Sequence, residues 1–528
     1  MIPEYLRRPA ETGTITWLLR RCEESAHELF LIAENEKITY VELLKLVQKW
    51  AGVLAGSGVD EDSRVAVMMR NHVDHIAIVF ALQWLNAVHV PISTHQRASG
   101  LAVQFETAAP YGVIAEDAFA VQIEEGLKLA GVTAFILLRP EGLESGSEWS
   151  REIRASSTPL FRDRGLEAPA MIAFTSGTTG RPKGAVLSER FLMESARQAS
   201  ILSDLQPPDR LFMWEPLYHA PGWTTLRMAM AAGATVAMVE KFSASRCWDQ
   251  IRETSSTKLH YLGGVINLLL KQPPSVNDRD HAVTIAWGGA APRDSWRAFE
   301  ERFGVTIREG YGLTEAANFA MLNLEGRVGS IGKPTDDMEA WIEDPESGSV
   351  LPPGEVGQIV VMPRRPGLVM LGYYGDPEAS QKVLAGGSVR TGDLGYESDG
   401  YYYFTGRASD SLRRRGENVS AWEVERVVNE HRGVAESAVI GVPSEMGEDD
   451  VKLFVKVAPE ETLNVEELWE WCSTHLAYYQ VPRYIEVVDE FPYGPTQRIQ
   501  KRLLPTTTTG IFDADRLVTR STETSTRK

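Results

Sequence analysis

The sequence predicts an α/β fold with helices laid over parallel sheets, followed by an antiparallel or barrel-like unit and then a small α+β domain. Three observations carry this. Helical stretches alternate with short apolar runs from about residue 38 to 240. The texture changes between Gly329 and Tyr403 to strand-like runs broken by Gly and Pro. Amphipathic helix and strand patterns return beyond Gly406 to Asp410.

In chain order, the strands expected in the first region run from Arg64 to Met68, Val88 to Ile92, Gly112 to Ala115, Ala134 to Leu138, Ala170 to Phe174 and Thr235 to Val239. They are short and almost wholly apolar, as strands buried on both faces must be. The most apolar stretch, Ile76 to Ile92, is interrupted by Gln83, Asn86 and His89, so it reads as a core helix running into a strand rather than a membrane span. Trp341 with Ile342, Gly357 to Met362 and Tyr401 to Phe404 are the strands of the second region. The last region offers a helix from Ala421 to Glu430, strands from Ala435 to Val442 and Lys452 to Val457, and a helix from Val465 to His475. From Pro505 a TTTT run and mixed charges up to Lys528 read as a loosely ordered extension.

Composition narrows the function. At 528 residues the chain has room for two or more domains. A formal net charge of −18 opposes nucleic acid and anionic membranes, so an anionic ligand needs a locally basic pocket. Three cysteines, Cys22, Cys247 and Cys472, stand far apart without a CxxC or paired histidines, which argues against a disulfide framework or a structural zinc and fits a reducing cytoplasm. The N-terminus lacks the apolar run of a secretory signal.

The chemistry is concentrated in FTSGTTGRPKG, Phe174 to Gly184, which follows an expected strand and precedes a helix capped by Ser188. Its small residues Gly177 and Gly180 let backbone N–H groups approach phosphate oxygens. The hydroxyls of Thr175, Ser176, Thr178 and Thr179 can donate more hydrogen bonds, and Lys183 adds a point charge. The spacing departs from that of P-loop ATPases, since Lys183 lies between Pro182 and Gly184.

TSGTTGRPKG also resembles the signature of the adenylate-forming superfamily of acyl-CoA synthetases, luciferases and peptide-synthetase adenylation domains. Further motifs resemble that family in order: ITYVEL from Ile38, EPLYHAPG from Glu215, WGGAAP from Trp287, GYGLTE from Gly310, RTGDLG from Arg390, YYYFTGR from Tyr401 and RRRGENVS from Arg413. The resemblance implies two parallel-sheet subdomains and a barrel-like one in an N-terminal AMP-binding domain of residues 1–409. A mobile C-terminal domain of 410–505 and a tail of 506–528 would follow. Asp410 is the implied hinge. It implies an adenine slot at Gly288, Gly289, Ala290, Gly310 and Tyr311, phosphate contact at Thr314, Mg²⁺ on Glu315, and ribose held by Asp393 and Arg407. His219 resembles a ring that gates the acyl pocket. Arg415, Gly416, Glu417 and Asn418 resemble the loop that opens a channel for coenzyme A, with Gly416 there because a side chain would obstruct it. The cofactors implied are ATP or an acyl-adenylate, CoA and Mg²⁺.

One motif departs from the pattern. PTQRIQK, from Pro495, matches the family's terminal Pro-Thr-Gly-Lys-Ile-x-Lys except that Gln497 replaces glycine and Arg498 replaces the lysine that bridges carboxylate and α-phosphate during adenylation. Arginine keeps the charge but carries it on a larger planar fork with different donor directions. Two readings stay open: thioester formation intact with adenylation weak or lost and served by a separate ligase, or Arg498 or Lys501 standing in adequately. The chain also resembles bacterial ligases of specialised diterpenoid metabolism. Small residues at Gly263, Gly264, Ala316 and Ala317, with Trp214, Trp223 and Trp287 as walls, suit an acyl pocket for a bulky apolar acid. An AMP-forming acyl-CoA ligase is thus expected, with the homodimer as the oligomer considered, and with a carrier-protein-loading enzyme and a non-catalytic adenylate-binding protein as the alternatives.

Overall fold

The computed structural model describes residues 10–33, 36–140, 149, 157–175, 182–345, 347–407, 411–444, 447–458, 461–492, 499 and 501–516. Two large sheets carry the first part of the chain. One orders its strands Lys333–Pro334, Ala316–Asn323, Thr306–Leu313, Ile285–Gly289, Lys258–Leu262, Arg210–Met213, Thr235–Met238, Leu29–Ala33, Glu36–Thr39. From Thr306–Leu313 to Leu29–Ala33 the pairing is parallel. The other orders Gly372–Tyr373, Lys183–Ser188, Pro169–Thr175, Val88–Pro91, Arg64–Met68, Gly112–Glu116, Phe135–Arg139. It is parallel from Pro169–Thr175 onward.

Local chemistry explains the helices between them. In the helix Tyr40–Gly56, Thr39 and Glu42 form a capping box that satisfies two N–H groups left open at the first turn. Every residue of Val73–Trp84 is buried, the reason its sequence shows no polar stripe. Among the described residues no helix is long and apolar enough to cross a membrane.

The strands Met338–Glu343, Gly357–Pro363, Val389–Ser398 and Tyr401–Arg407 form an antiparallel four-stranded sheet in that order. Beyond it, the hairpin Ser411–Arg414 and Glu417–Ser420 leads into the helix Ala421–Asn429 and a second four-stranded sheet with its own apolar core around Val424, Leu453 and Leu468. The segment after Pro505 differs from the extension expected of it. As far as residue 516 it joins this sheet, with Phe512–Asp513 pairing against Tyr484–Val487. Lys452, fully buried, donates from Nζ to the carbonyls of Pro505 at 2.9 Å and Thr507 at 2.6 Å and pairs with Glu486. A buried ammonium must have such partners, and here two backbone carbonyls and a carboxylate supply them.

Candidate active site

The predicted residues collect at the C-terminal ends of the parallel strands, where open α/β sheets leave a crevice. The strand Ile285–Gly289 ends in Gly288 and Gly289, and Gly288 pairs with Glu309 of the neighbouring strand. A Cβ on Gly288 would lie 1.8 Å from the Tyr261 carbonyl, and one on Gly310 would lie 2.4 Å from Phe319. These glycines are therefore demanded by the protein's own packing at this edge. Ala290 follows with a left-handed φ of 62°. Its N–H and that of Ala291 donate to the Glu309 carboxyl at 2.7 and 2.9 Å, and the Tyr261 hydroxyl donates to it at 2.8 Å. Burial pushes Glu309 up to about 7 in spite of those donors. The motifs did not mark Glu309, although it directly precedes Gly310.

Tyr311 donates from its hydroxyl to Asp393 Oδ2 at 2.7 Å. Asp393 in turn stands directly opposite Arg407 across the antiparallel pair, so three distant motifs meet at one place. Thr391 accepts the Asp393 N–H at 3.1 Å and donates to the Ile359 carbonyl, which fixes the strand beneath the carboxylate.

Glu315 lies at the turn between Thr306–Leu313 and Ala316–Asn323. Its Oε1 accepts from Tyr373 at 2.7 Å and from Thr175 at 3.3 Å. Lys183, directly across the hairpin from Thr175, sits 5.1 Å from the Tyr373 ring. Burial, and next the Glu315 charge, push the Tyr373 hydroxyl upward, so it stays a donor. An oxygen ligand set of one carboxylate beside hydroxyls fits Mg²⁺, which takes its other positions from water and phosphate. Ser176, Gly177, Thr178, Thr179, Gly180, Asp410 and Arg498 lie outside the described residues.

Below these ends runs a cavity of about 1010 Å³, lined from the large domain by Thr175, Thr314, Trp214, His219 and Trp223 and from the small domain by Arg415, Gly416 and Glu417. His219 directly precedes the helix Ala220–Ala232, whose Pro221 suits its first turn. His219 Nε2 lies 2.7 Å from Glu417 Oε1. Glu417 follows a two-residue hairpin loop, Arg415 and Gly416, with φ values of 55° and 79°. That geometry, a turn needing left-handed residues at both positions, is what calls for glycine at 416. A Cβ there would meet Leu262 at 3.5 Å, an ordinary contact with the protein itself. The Gly416 N–H donates to both Glu448 oxygens, at 3.2 and 3.0 Å. Of the three arginines, Arg414 is structural, paired with Asp450 and donating to the carbonyls of Tyr479 and Val481, while Arg415 is exposed over Tyr478.

Trp214 and Trp223 line the cavity as expected. Trp287 does not: it is a core residue, 1% exposed and packed edge-on against His260, because its strand is covered on both faces. Ala316 and Ala317 are likewise buried in the core beside the antiparallel sheet. Gly263 and Gly264 begin the helix Gly263–Leu270 at the end of Lys258–Leu262.

Comparison with known proteins agrees with this geometry. Residues 18–374 match the model of the AMP-binding enzyme family, and 423–497 match its C-terminal domain. Crotonobetaine/carnitine–CoA ligase of Escherichia coli O8 (strain IAI1) is 29% identical over 500 residues, which is 90% of this chain and 96% of that protein. A double mutant of o-succinylbenzoate CoA synthetase from Bacillus subtilis, bound with its product analogue OSB-NCoA, superposes with a TM-score of 0.83 at 24% identity, covering 95% of this chain and all of that one. The same synthetase in complex with AMP superposes at 0.67, again at 24% identity, covering 94% of this chain and 98% of that one. The chain belongs to the AMP-binding enzyme family, on its acyl-CoA synthetase branch.

Proposed function

We propose that this AMP-forming acyl-CoA ligase is seen here in the arrangement for its second step, attack of the coenzyme A thiol on an acyl-adenylate. The observation that carries this is the 2.7 Å contact between His219 and Glu417, which seats the small domain's turn against the large domain's cavity. The higher superposition on the synthetase bound with its product analogue than on its AMP complex supports the same orientation.

In this reading Asp393, held by Tyr311, takes the ribose hydroxyls with Arg407, and the ring of Tyr311 packs on adenine. Thr175, Thr314 and Lys183 hold phosphate oxygens, and Glu315 holds Mg²⁺, which when bound supplies charge neutralisation between phosphate oxygens. His219, fixed by Glu417, shapes the entry between acyl pocket and thiol channel. The thiol forms the new S–C bond, AMP leaves with the electron pair of the broken bond, and the thiol proton passes to solvent.

Adenylation is the weaker half in our reading. Arg498 replaces a compact ammonium by a wider fork, and a misplaced cation between two anions costs several kcal/mol of transition-state stabilisation, on the order of a thousandfold in rate. A separate adenylating ligase would then supply the acyl-adenylate, and 409/410 marks the boundary about which the small domain turns. The three cysteines, all free, suit a reducing cytoplasm. The test is to mix the purified protein with a synthetic acyl-adenylate and CoA. Thioester with AMP release is expected; failure across a panel of adenylates, or transfer only to a carrier protein, contradicts the proposal.

A further inference from the structure

Glu215 sits on the cavity wall yet is 1% exposed, an unusual place for an acidic side chain. One of its oxygens is engaged: Oε1 pairs with His260 Nδ1. The other, Oε2, is buried without a hydrogen-bond partner. The main chain that carries it is held in place. Its carbonyl accepts from Asn71 Nδ2 at 2.9 Å, and Asn71 Oδ1 accepts the N–H of Leu217. The ring of Trp214 is tied to the His260 carbonyl at 2.9 Å and packs 5.1 Å from that of Phe242. An acceptor held rigid among aromatic rings, with its second oxygen unanswered, is the arrangement of a recognition group awaiting a donor.

We propose that Glu215 selects acyl substrates that carry a hydrogen-bond donor, a hydroxyl or an ammonium, on an otherwise apolar body. The donor lies away from the reacting carboxyl, because an acidic oxygen would repel that group rather than hold it. This inference rests on the ligase reading and adds the substrate's chemical class to it. A site that holds a buried, unanswered acceptor favours the ligand that brings a donor, since the analogue lacking it leaves Oε2 without a partner.

The experiment uses the full chain and pairs of non-hydrolysable acyl-sulfamoyl adenosines that share a carbon skeleton and differ only in a plain, hydroxylated or aminated end. The expected result is binding of one donor-bearing series about 10- to 100-fold tighter than the plain series, lost in Glu215→Leu and reduced in Glu215→Gln. The hydroxyl and amino arms identify the donor. Equal binding of all three series, or a preference that survives in both variants, overturns the inference. Thioester formation from the matching acyl-adenylates is measured in parallel. Its absence with all three series, while the adenosine analogues still discriminate, would count against the ligase reading and leave the role of Glu215 standing.

Discussion

On the nucleotide side of the site, Tyr311 with Asp393 and Glu315 with Thr175 and Tyr373 all belong to the large domain and interlock across strand ends. On the thiol side, the cavity is closed by side chains from two domains, among them His219 against Glu417 and His95 edge-on to Tyr478 at 4.4 Å between ring centres. The first arrangement is set when the large domain folds. The second depends on how the small domain is seated. Substitutions on the nucleotide side should therefore harm both half-reactions, and those on the thiol side only the second.

The largest effect is expected from Asp393→Ala, which removes the proposed ribose acceptor and its hydrogen bond from the Tyr311 hydroxyl. Both acyl-adenylate use and pyrophosphate exchange should fall by about a thousandfold, as steady-state rates for each half-reaction would record. A loss confined to one half would break the comparison. Next comes Glu417→Ala, which removes the joint. Single-turnover thioester formation should slow by about 10- to 100-fold while any adenylation is unchanged. Equal losses in both would show that His219 and Glu417 belong to the nucleotide side after all.

Glu309 sharpens the nucleotide side through pH. Its folded value of about 7 lies above the ordinary carboxyl value of 4.5. The folded state therefore holds the proton longer than the unfolded one, and the stability linked to it is present below about 4.5 and lost as pH rises towards 7. Melting of wild type and Glu309→Gln between pH 5 and 8 should show the gap shifting in favour of the glutamine variant as pH rises, by on the order of 1–3 kcal/mol. A constant gap would mean that the carboxyl stays charged throughout. The smallest effect is Gly416→Ala, which places a Cβ at a left-handed φ and should cost about 1 kcal/mol in the small domain's stability, measured by denaturant unfolding.

Much of this was legible in the sequence, and what was not has physical reasons. The strand from Arg64 and the helix from Val465 were marked by apolar runs and helical period, which depend on neighbours a few residues away. Asp393, Tyr311 and Arg407 were legible as motifs, although only the folded chain shows them meeting. Glu309, Tyr373 and Glu448 were not, because each acts through partners distant in sequence and has no spacing of its own. Trp287 was read as a cavity wall for its size, but which face of a buried strand a ring occupies is decided by the sheets around it. The segment after Pro505 looked unstructured because it is tied in through the backbone carbonyls of Pro505 and Thr507 to Lys452, a role that leaves no hydrophobic pattern.

The central claim is that the thiol side works while adenylation lags. It is tested most directly by measuring thioester formation from CoA with acid, ATP and Mg²⁺, and from CoA with the matching acyl-adenylate, in wild type and Arg498→Lys. Wild type should use the adenylate at least about a hundredfold faster than the acid, and the lysine variant should raise only the ATP-dependent rate. Equal wild-type rates by the two routes, unmoved by the substitution, would contradict it.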